Sequence, residues 1–372
     1  MIGSRIQRYV LMRYAMALSI VLIVFILTIM LVDTVEQMRT LGGDIELSPT
    51  VAVTLAAMKL PSLIEQTLPF AILIAAMMTF NQLSKTSELS VIRASGQSAW
   101  QFLGSVLAFA ACLGVASMML LNPFGAFLSE RFETTRADLL QQGGIRAELN
   151  RKNIWLRQGD DNSQILIYAK RVDETGLVFS DVKFIEEGRV FNGSQPTDDF
   201  VFVRRIDAAQ ARIIDGFWQL DDLIENTPDT EPQIMDSLAI ETDLDPNTLL
   251  SRFTSPNTIG FWRLPGFVDQ TNKAGLDASR FTMRWVGLTA LPVLYMAMAL
   301  IGALVCLRLS RLGGTSRLVA IGSLAAIGLF FINQIAYSLG ASGGVPPAIA
   351  AWAPALCALF VSLTILSYQE DG

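Results

Sequence analysis

Tyr14-Ala-Met-Ala-Leu-Ser-Ile-Val-Leu-Ile-Val-Phe-Ile-Leu-Thr-Ile-Met-Leu-Val-Asp33 carries no charge until its last residue. A helix needs about 20 mostly apolar residues to cross a hydrocarbon layer about 30 Å thick. It also closes its backbone hydrogen bonds internally, as lipid demands. Working outward, apolar runs recur at 66–83, 101–122, 283–307, 318–338 and 346–368. Three runs precede a long stretch of different composition, and three follow it. The reading is an α-helical integral membrane protein with six transmembrane helices, three plus three, around an inserted water-soluble domain. The divisions are 1–125 for the first three spans, 126–280 for the middle domain with its connecting helices, and 281–372 for the last three spans.

Composition agrees. Of 372 residues, 52% are hydrophobic, and the mean hydropathy is +0.44. That is too apolar for one soluble domain. Charge is segregated: residues 125–280 hold 17 Lys/Arg against 26 Asp/Glu, and the rest holds 11 against 8. An acidic domain argues against nucleic acid, which is bound through basic patches. Cys112, Cys306 and Cys357 all fall in apolar runs, so no disulfide framework holds the middle domain. The chain has no histidine, which removes Ser-His and Cys-His nucleophile pairs and His-ligated zinc. It also lacks a Gly-x-x-x-x-Gly-Lys-Ser/Thr phosphate loop. No catalytic residue, metal ligand or cofactor is assigned to it; ATP, if used, is hydrolysed by another chain.

Basic residues in short flanks mark the cytoplasm. Arg5, Arg8 and Arg13 precede the first span with no acid among them. Lys85 and Arg93 face Glu88 alone in the 82–100 loop, and Arg308, Arg311 and Arg317 stand without an acid in the 308–317 loop. The 33–50 loop reverses the balance, with Asp33, Glu36, Asp44 and Glu46 against Arg39. Both termini are therefore expected in the cytoplasm and the middle domain outside it.

The middle domain reads as β. Runs at 153–158, 164–170, 176–185, 200–206, 208–215 and 216–223 are rich in β-branched and aromatic residues. Gly159-Asp-Asp-Asn, Asp173-Glu-Thr-Gly and Asn192-Gly separate some of them as turns. Short, regularly spaced strands suggest a sandwich or jelly roll. Residues 126–142 are expected to continue the third span as a charged helix. Pro246, Pro256 and Pro265 break up the return path to the membrane. Thr258-Ile-Gly-Phe-Trp-Arg-Leu reads as a short amphipathic segment with Trp262 at headgroup depth. Glu65, in apolar surroundings, is costly against lipid and is expected to face protein, water or a basic partner.

Between spans two and three lies Asn81-Gln-Leu-Ser-Lys-Thr-Ser-Glu-Leu-Ser-Val-Ile-Arg-Ala-Ser-Gly-Gln-Ser98. Ser84 or Thr86 could N-cap a short helix, and Gly96 could stop it. Leu89 and Ile92 would share one face, with Glu88 and Arg93 nearby. An apolar stripe flanked by charge suits docking into a groove on another protein. A plain surface turn fits the same residues.

Ser87-Glu-Leu-Ser-Val-Ile-Arg-Ala-Ser-Gly96 resembles the coupling-helix signature of the lipopolysaccharide export permeases, the LptF/LptG family. Val35-Glu-Gln-Met-Arg39, Ala208-Ala-Gln-Ala-Arg212, Trp218-Gln-Leu220, Asn333-Gln-Ile335 and Gly344-Val-Pro-Pro-Ala-Ile349 look like its LptG branch. The resemblance covers essentially the whole chain. It implies an inner-membrane, multi-pass permease of a Gram-negative bacterium, with a periplasmic β-jellyroll-like domain. Its implied partners are an LptF-like permease, an LptB-like ATPase dimer that holds ATP and Mg, LptC-like and LptA-like bridge proteins, the membrane and lipopolysaccharide. It also implies roles. Ser87, Glu88, Leu89, Ile92 and Arg93 would couple to the ATPase. Val21, Phe25, Ile29 and Val32 on span one, and Phe330, Phe331, Ile335 and Tyr337 on span five, would line a lipid cavity. Ordinary lipid-facing or packing surface explains the same residues. Arg39 and Arg136 would meet phosphates, shared with Lys59 and Arg131, though interfacial anchoring is open for each. Asp33 and Thr40 stand where family members often carry lysine. A permease for another envelope lipid or lipoprotein, or a non-transporting scaffold, are the rival readings. The first usually has four spans, and the second has no need of a docking helix.

Overall fold

A computed structural model describes residues 2–41, 48–142, 152–159, 163–172, 178–192, 195–214, 216–228, 230–242, 244, 255–273, 277–309 and 315–370. The expected turns at 160–162 and 173–176, Pro246, and Asp44, Glu46 and Arg311 fall outside these residues. The chain divides into two compact units. One is Met1–Phe132, Pro256–Asn272 and Ala278–Gly372; the other is Glu133–Ser255 and Lys273–Asp277. Residues 256–272, read from sequence with the middle domain, thus belong with the helices.

The helices of the first unit are α1 (Ile2–Leu41), α2 (Pro49–Lys85), α3 (Glu88–Ala94), α4 (Ala99–Ala116), α5 (Asn122–Gln142), α6 (Leu264–Lys273), α7 (Ser279–Leu309), α8 (Thr315–Ala341) and α9 (Pro347–Glu370); α5 and α6 run on past its border. Among the described residues, six stretches are long and apolar enough to span a membrane: 5–40, 49–85, 99–136, 279–307, 320–341 and 347–369. The pillars are α2 and α7, whose most apolar windows are 61% and 67% buried, against 17% each for α1 and α8. Small residues explain the pillars' closeness. A Cβ on Gly302 of α7 would lie 2.6 Å from the Leu73 carbonyl oxygen, and one on Gly114 of α4 would lie 2.4 Å from Pro292 Cα. Helix backbones in lipid approach this closely only where side chains are small. Phe80, Phe102, Tyr14 and Tyr295 fill the remaining core.

Between α4 and α5 the helix widens into a π-turn, Ser117–Leu121. Pro123 is the cause. It has no N–H for the carbonyl four residues back, and its ring crowds that carbonyl. That carbonyl belongs to Met119, and the Trp262 indole donates to it at 3.3 Å. Trp262 and Phe261 lie in the turn before α6, which starts at Leu264, later than the segment expected from 258. Pro265 opens α6 instead of breaking it, because a first-turn residue needs no N–H donor.

The second unit holds one antiparallel sheet in sequential order, β1 (Lys152–Gly159), β2 (Ser163–Val172), β3 (Val178–Asn192), β4 (Gln195–Ile214), β5 (Phe217–Asn226) and β6 (Gln233–Glu241). That is a meander. Among the described residues the sheet has none of the crossovers that a jelly roll requires. The expected runs that begin at 200 and 208 fuse into one 20-residue strand, Gln195–Ile214, and β6 is a strand that the sequence reading omitted. Fully buried Trp218 organises the core, edge-on to Phe179 and Phe184 at 5.0 and 5.5 Å. Buried Ala208 and Ala211 lie among these side chains. Gln158 of β1 draws the two sheet edges together: its amide nitrogen donates to the Glu241 carbonyl at 3.2 Å. Its amide oxygen accepts from the Trp218 indole at 3.1 Å and from the Thr242 hydroxyl at 2.6 Å.

Candidate functional site

The loop helix α3 is local chemistry first. Thr86 N–H closes α2 on the Gln82 carbonyl, and Ser87 turns the chain with φ 59°. Left-handed backbone is uncommon for a residue with a Cβ. Ser87, not Ser84 or Thr86, is the N-cap residue, and it makes no side-chain cap. Gly96 follows the helix at φ +82°, the expected left-handed stop.

The stripe of α3 faces inward. Leu89 and Ile92 are each 7% exposed and join the helical core with Leu83 and Phe102. This corrects the expectation that they form an outward docking face. The outward residues are Ser87, Ser90, Val91 and Ala94, with Val91 68% exposed; Arg93 is half-buried. Glu88 turns toward α1. The Tyr9 hydroxyl donates to its carboxylate at 2.7 Å, the Thr86 hydroxyl at 3.0 Å, and Arg13 stands 4.0 Å away. The Tyr9 bond holds the carboxyl below its ordinary range; burial opposes it, and the Thr86 bond and the Arg13 charge add smaller lowering effects. Arg13 is itself seated on Tyr9, 5.3 Å from the ring centroid.

Among the described residues, α1 and α8 each carry an open apolar face. On α1, Ile20, Ile23, Val24, Leu27 and Leu31 are 50–69% exposed. Among the residues predicted for this face, Val32 is open, Phe25 and Ile29 are half-buried on its flank, and Val21 is core. The open side of α1 lies beside the predicted face. Reading it needed the side that α2 covers, which an all-apolar helix does not encode. On α8, Phe330, Phe331 and Ile335 are exposed. Phe330 leans on Phe70 of α2, with centroids 5.4 Å apart. Tyr337 points elsewhere, into a cavity of about 110 Å³ with Glu65, Arg284 and Asn333.

Glu65, 5% exposed, is the hub of a polar network inside the bundle. The Arg284 guanidinium donates to it at 2.7 Å and the Asn122 amide at 2.9 Å. The Asn122 amide oxygen accepts from Phe261 N–H at 2.9 Å. The basic partner expected for Glu65 is Arg284. Sequence reading missed it, because 219 residues separate the pair.

The charges proposed for phosphates have different surroundings. Arg39 is exposed in the last turn of α1, where a cation also suits the helix dipole. Lys59 is engaged: it binds Asp33 at 2.6 Å and lies 5.4 Å from the Phe132 ring centroid. Arg131 stacks 5.3 Å from the Phe127 centroid. Arg136 is half-buried on the part of α5 that belongs to the second unit. Among the described residues no acidic, His or Cys cluster could hold a metal ion.

The family described as lipopolysaccharide export system permease LptF/LptG matches residues 8–368. The chain belongs to this family. Curated relatives include the lipopolysaccharide export system permease protein LptG of Haemophilus influenzae, 24% identical over 353 residues and covering 92% of each chain. LptG of Escherichia coli K12 is 24% identical over 352 residues, covering 90% of each. The LptF/LptG match spans both helical halves and the strands that lie between them in sequence, so α3 and the two open faces fall within the matched residues.

Proposed function

We propose that this chain is the LptG-type permease subunit of an inner-membrane exporter that lifts lipopolysaccharide from the outer leaflet toward a periplasmic bridge. The observation that carries this reading is the family match along both helical halves and the sheet. The open faces of α1 and α8 support it, because two helices with large unpartnered apolar faces suit a lateral cavity closed by a second, LptF-like permease. Energetics argue for such a cavity. Burying a methylene is worth about 0.8 kcal/mol, so pulling a chain of about a dozen carbons from the bilayer costs on the order of 10 kcal/mol. A multi-chain lipid needs apolar walls and an energy source.

In this reading α3 meets an LptB-like ATPase dimer in the cytoplasm through its Ser87, Ser90 and Val91 face, and that dimer holds ATP and Mg. The sheet domain is periplasmic and passes substrate to LptC-like and LptA-like proteins. Arg39 and Arg136 meet lipid phosphates. Detergent pull-down of the tagged chain should recover a second LptF/LptG-family chain and a nucleotide-binding subunit. Photo-crosslinkers at Leu27 and Phe331 should trap lipopolysaccharide, with Val21 as the buried control. Recovery of neither subunit, with no lipopolysaccharide adduct at either position, defeats the reading.

A further inference from the structure

Glu65 of α2, Arg284 of α7, and Asn333 and Tyr337 of α8 meet around one cavity. Arg284 gives a terminal nitrogen to the Glu65 carboxylate. Its Nε is buried and makes no hydrogen bond among the described residues. The Asn333 amide and the Tyr337 hydroxyl also make none among those residues. Standing four apart, they share one edge of α8. Donors and acceptors both face the cavity: Nε–H donates, the carboxylate accepts, and the amide and hydroxyl do either.

Chemistry selects the occupant. An acyl chain would leave these polar groups unpaired, which is costly in an apolar interior. The Glu65 carboxylate repels an anion, and Arg284, 2.7 Å from it, repels a cation. Water serves donors and acceptors alike, and ionised groups at membrane depth are tolerated where they face it. A buried water needs about 2–4 polar partners and about 10–15 Å³ of space open to its centre. The cavity offers about 110 Å³ of that space, so several waters fit.

We propose that this cavity is a binding site for a cluster of water molecules, which hydrogen-bonds the Asn333–Tyr337 edge of α8 to the Glu65–Arg284 pair. The cluster seats α8 in rotation. Two steps turn a helix by about 200°, so Phe331 and Ile335 lie on the far side from Asn333 and Tyr337. Holding the polar edge against the pair turns those two apolar side chains outward, where they are 59% and 60% exposed. The inference does not rest on the transport reading.

The test uses the full chain, with whatever subunits co-purify, in lipid nanodiscs. X-ray pulses generate hydroxyl radicals from bound water in place, and oxidised residues are mapped by mass spectrometry. Met283 and Met298 of α7 are 1% and 2% exposed; Met283 lines the cavity and Met298 does not. Met283 should oxidise several-fold faster than Met298. A Cβ on Gly287 would meet the Tyr337 ring at 3.6 Å, an ordinary contact, so Gly287→Leu puts methyls where the water sits. It should bring Met283 down to the rate of Met298. The double variant Asn333→Leu with Tyr337→Phe should do the same. In that variant a diazirine dissolved in the bilayer should also lose, several-fold, its preference for Phe331 and Ile335 over positions 333 and 337. Equal oxidation of Met283 and Met298 in the unmodified protein overturns the proposal whether or not any variant folds. So does Met283 oxidation that Gly287→Leu leaves unchanged, or a diazirine preference that the double variant leaves unchanged.

Discussion

Removing one member of the Glu65–Arg284 pair leaves the other buried and uncompensated, which costs about 3–5 kcal/mol. Glu65→Gln or Arg284→Met should therefore lower thermal stability in detergent sharply, and the double variant should recover part of the loss. Full additivity of the two single losses would mean that the groups do not act as a pair. Gly302→Ala places a methyl against the Leu73 carbonyl, and such overpacking costs about 1–3 kcal/mol; a melting temperature equal to that of the parent would refute the close approach. Glu88 adds a pH dependence. Its carboxyl is held below the ordinary value of 4.5, chiefly by the Tyr9 hydroxyl. A lowered folded value means that the contact contributes fully above about 4.5 and is lost as pH falls through the lowered value. Spin labels at Met12 and Val91 should report a distance distribution that broadens only below that range. Tyr9→Phe should move the broadening to higher pH, and an unchanged profile would remove Tyr9 as the cause.

At the scale of elements, α3 separates two roles that the sequence merged. Leu89 and Ile92 anchor it to the bundle, while Ser87, Ser90 and Val91 face outward. Ile92→Asp should destabilise the folded bundle, since it buries a charge without a partner. Val91→Asp should leave melting unchanged within about 0.5 kcal/mol, as surface changes usually do, yet weaken recovery of the ATPase subunit. Equal ATPase recovery by the Val91→Asp variant and the parent would show that this face docks nothing. The stripe was legible because helical spacing puts residues three apart on one side. Its direction was not, because spacing does not say whether core or partner lies opposite. Likewise the helical continuation past the third span was legible, whereas the donor that meets the carbonyl Pro123 frees was not, because Trp262 reaches Met119 from 143 residues away.

At the scale of the whole molecule, Trp218→Ala should cost the sheet unit about 3–5 kcal/mol, the usual loss for a buried Trp. Limited proteolysis should then cut within 152–241 first while the helices stay resistant; simultaneous loss of both units would mean that they melt as one. By itself the sequence determined six apolar spans, the strand-rich stretch between them, and the family. Span length, β-branched runs and short motifs are local properties of the chain, and hydrocarbon thickness and backbone hydrogen bonding act on them directly. Only the tertiary structure decided which sides are open. A helix apolar all round carries no record of its neighbours, so the open face of α1, the inward turn of Leu89 and Ile92 and the Glu65–Arg284 pair arise only where distant helices meet.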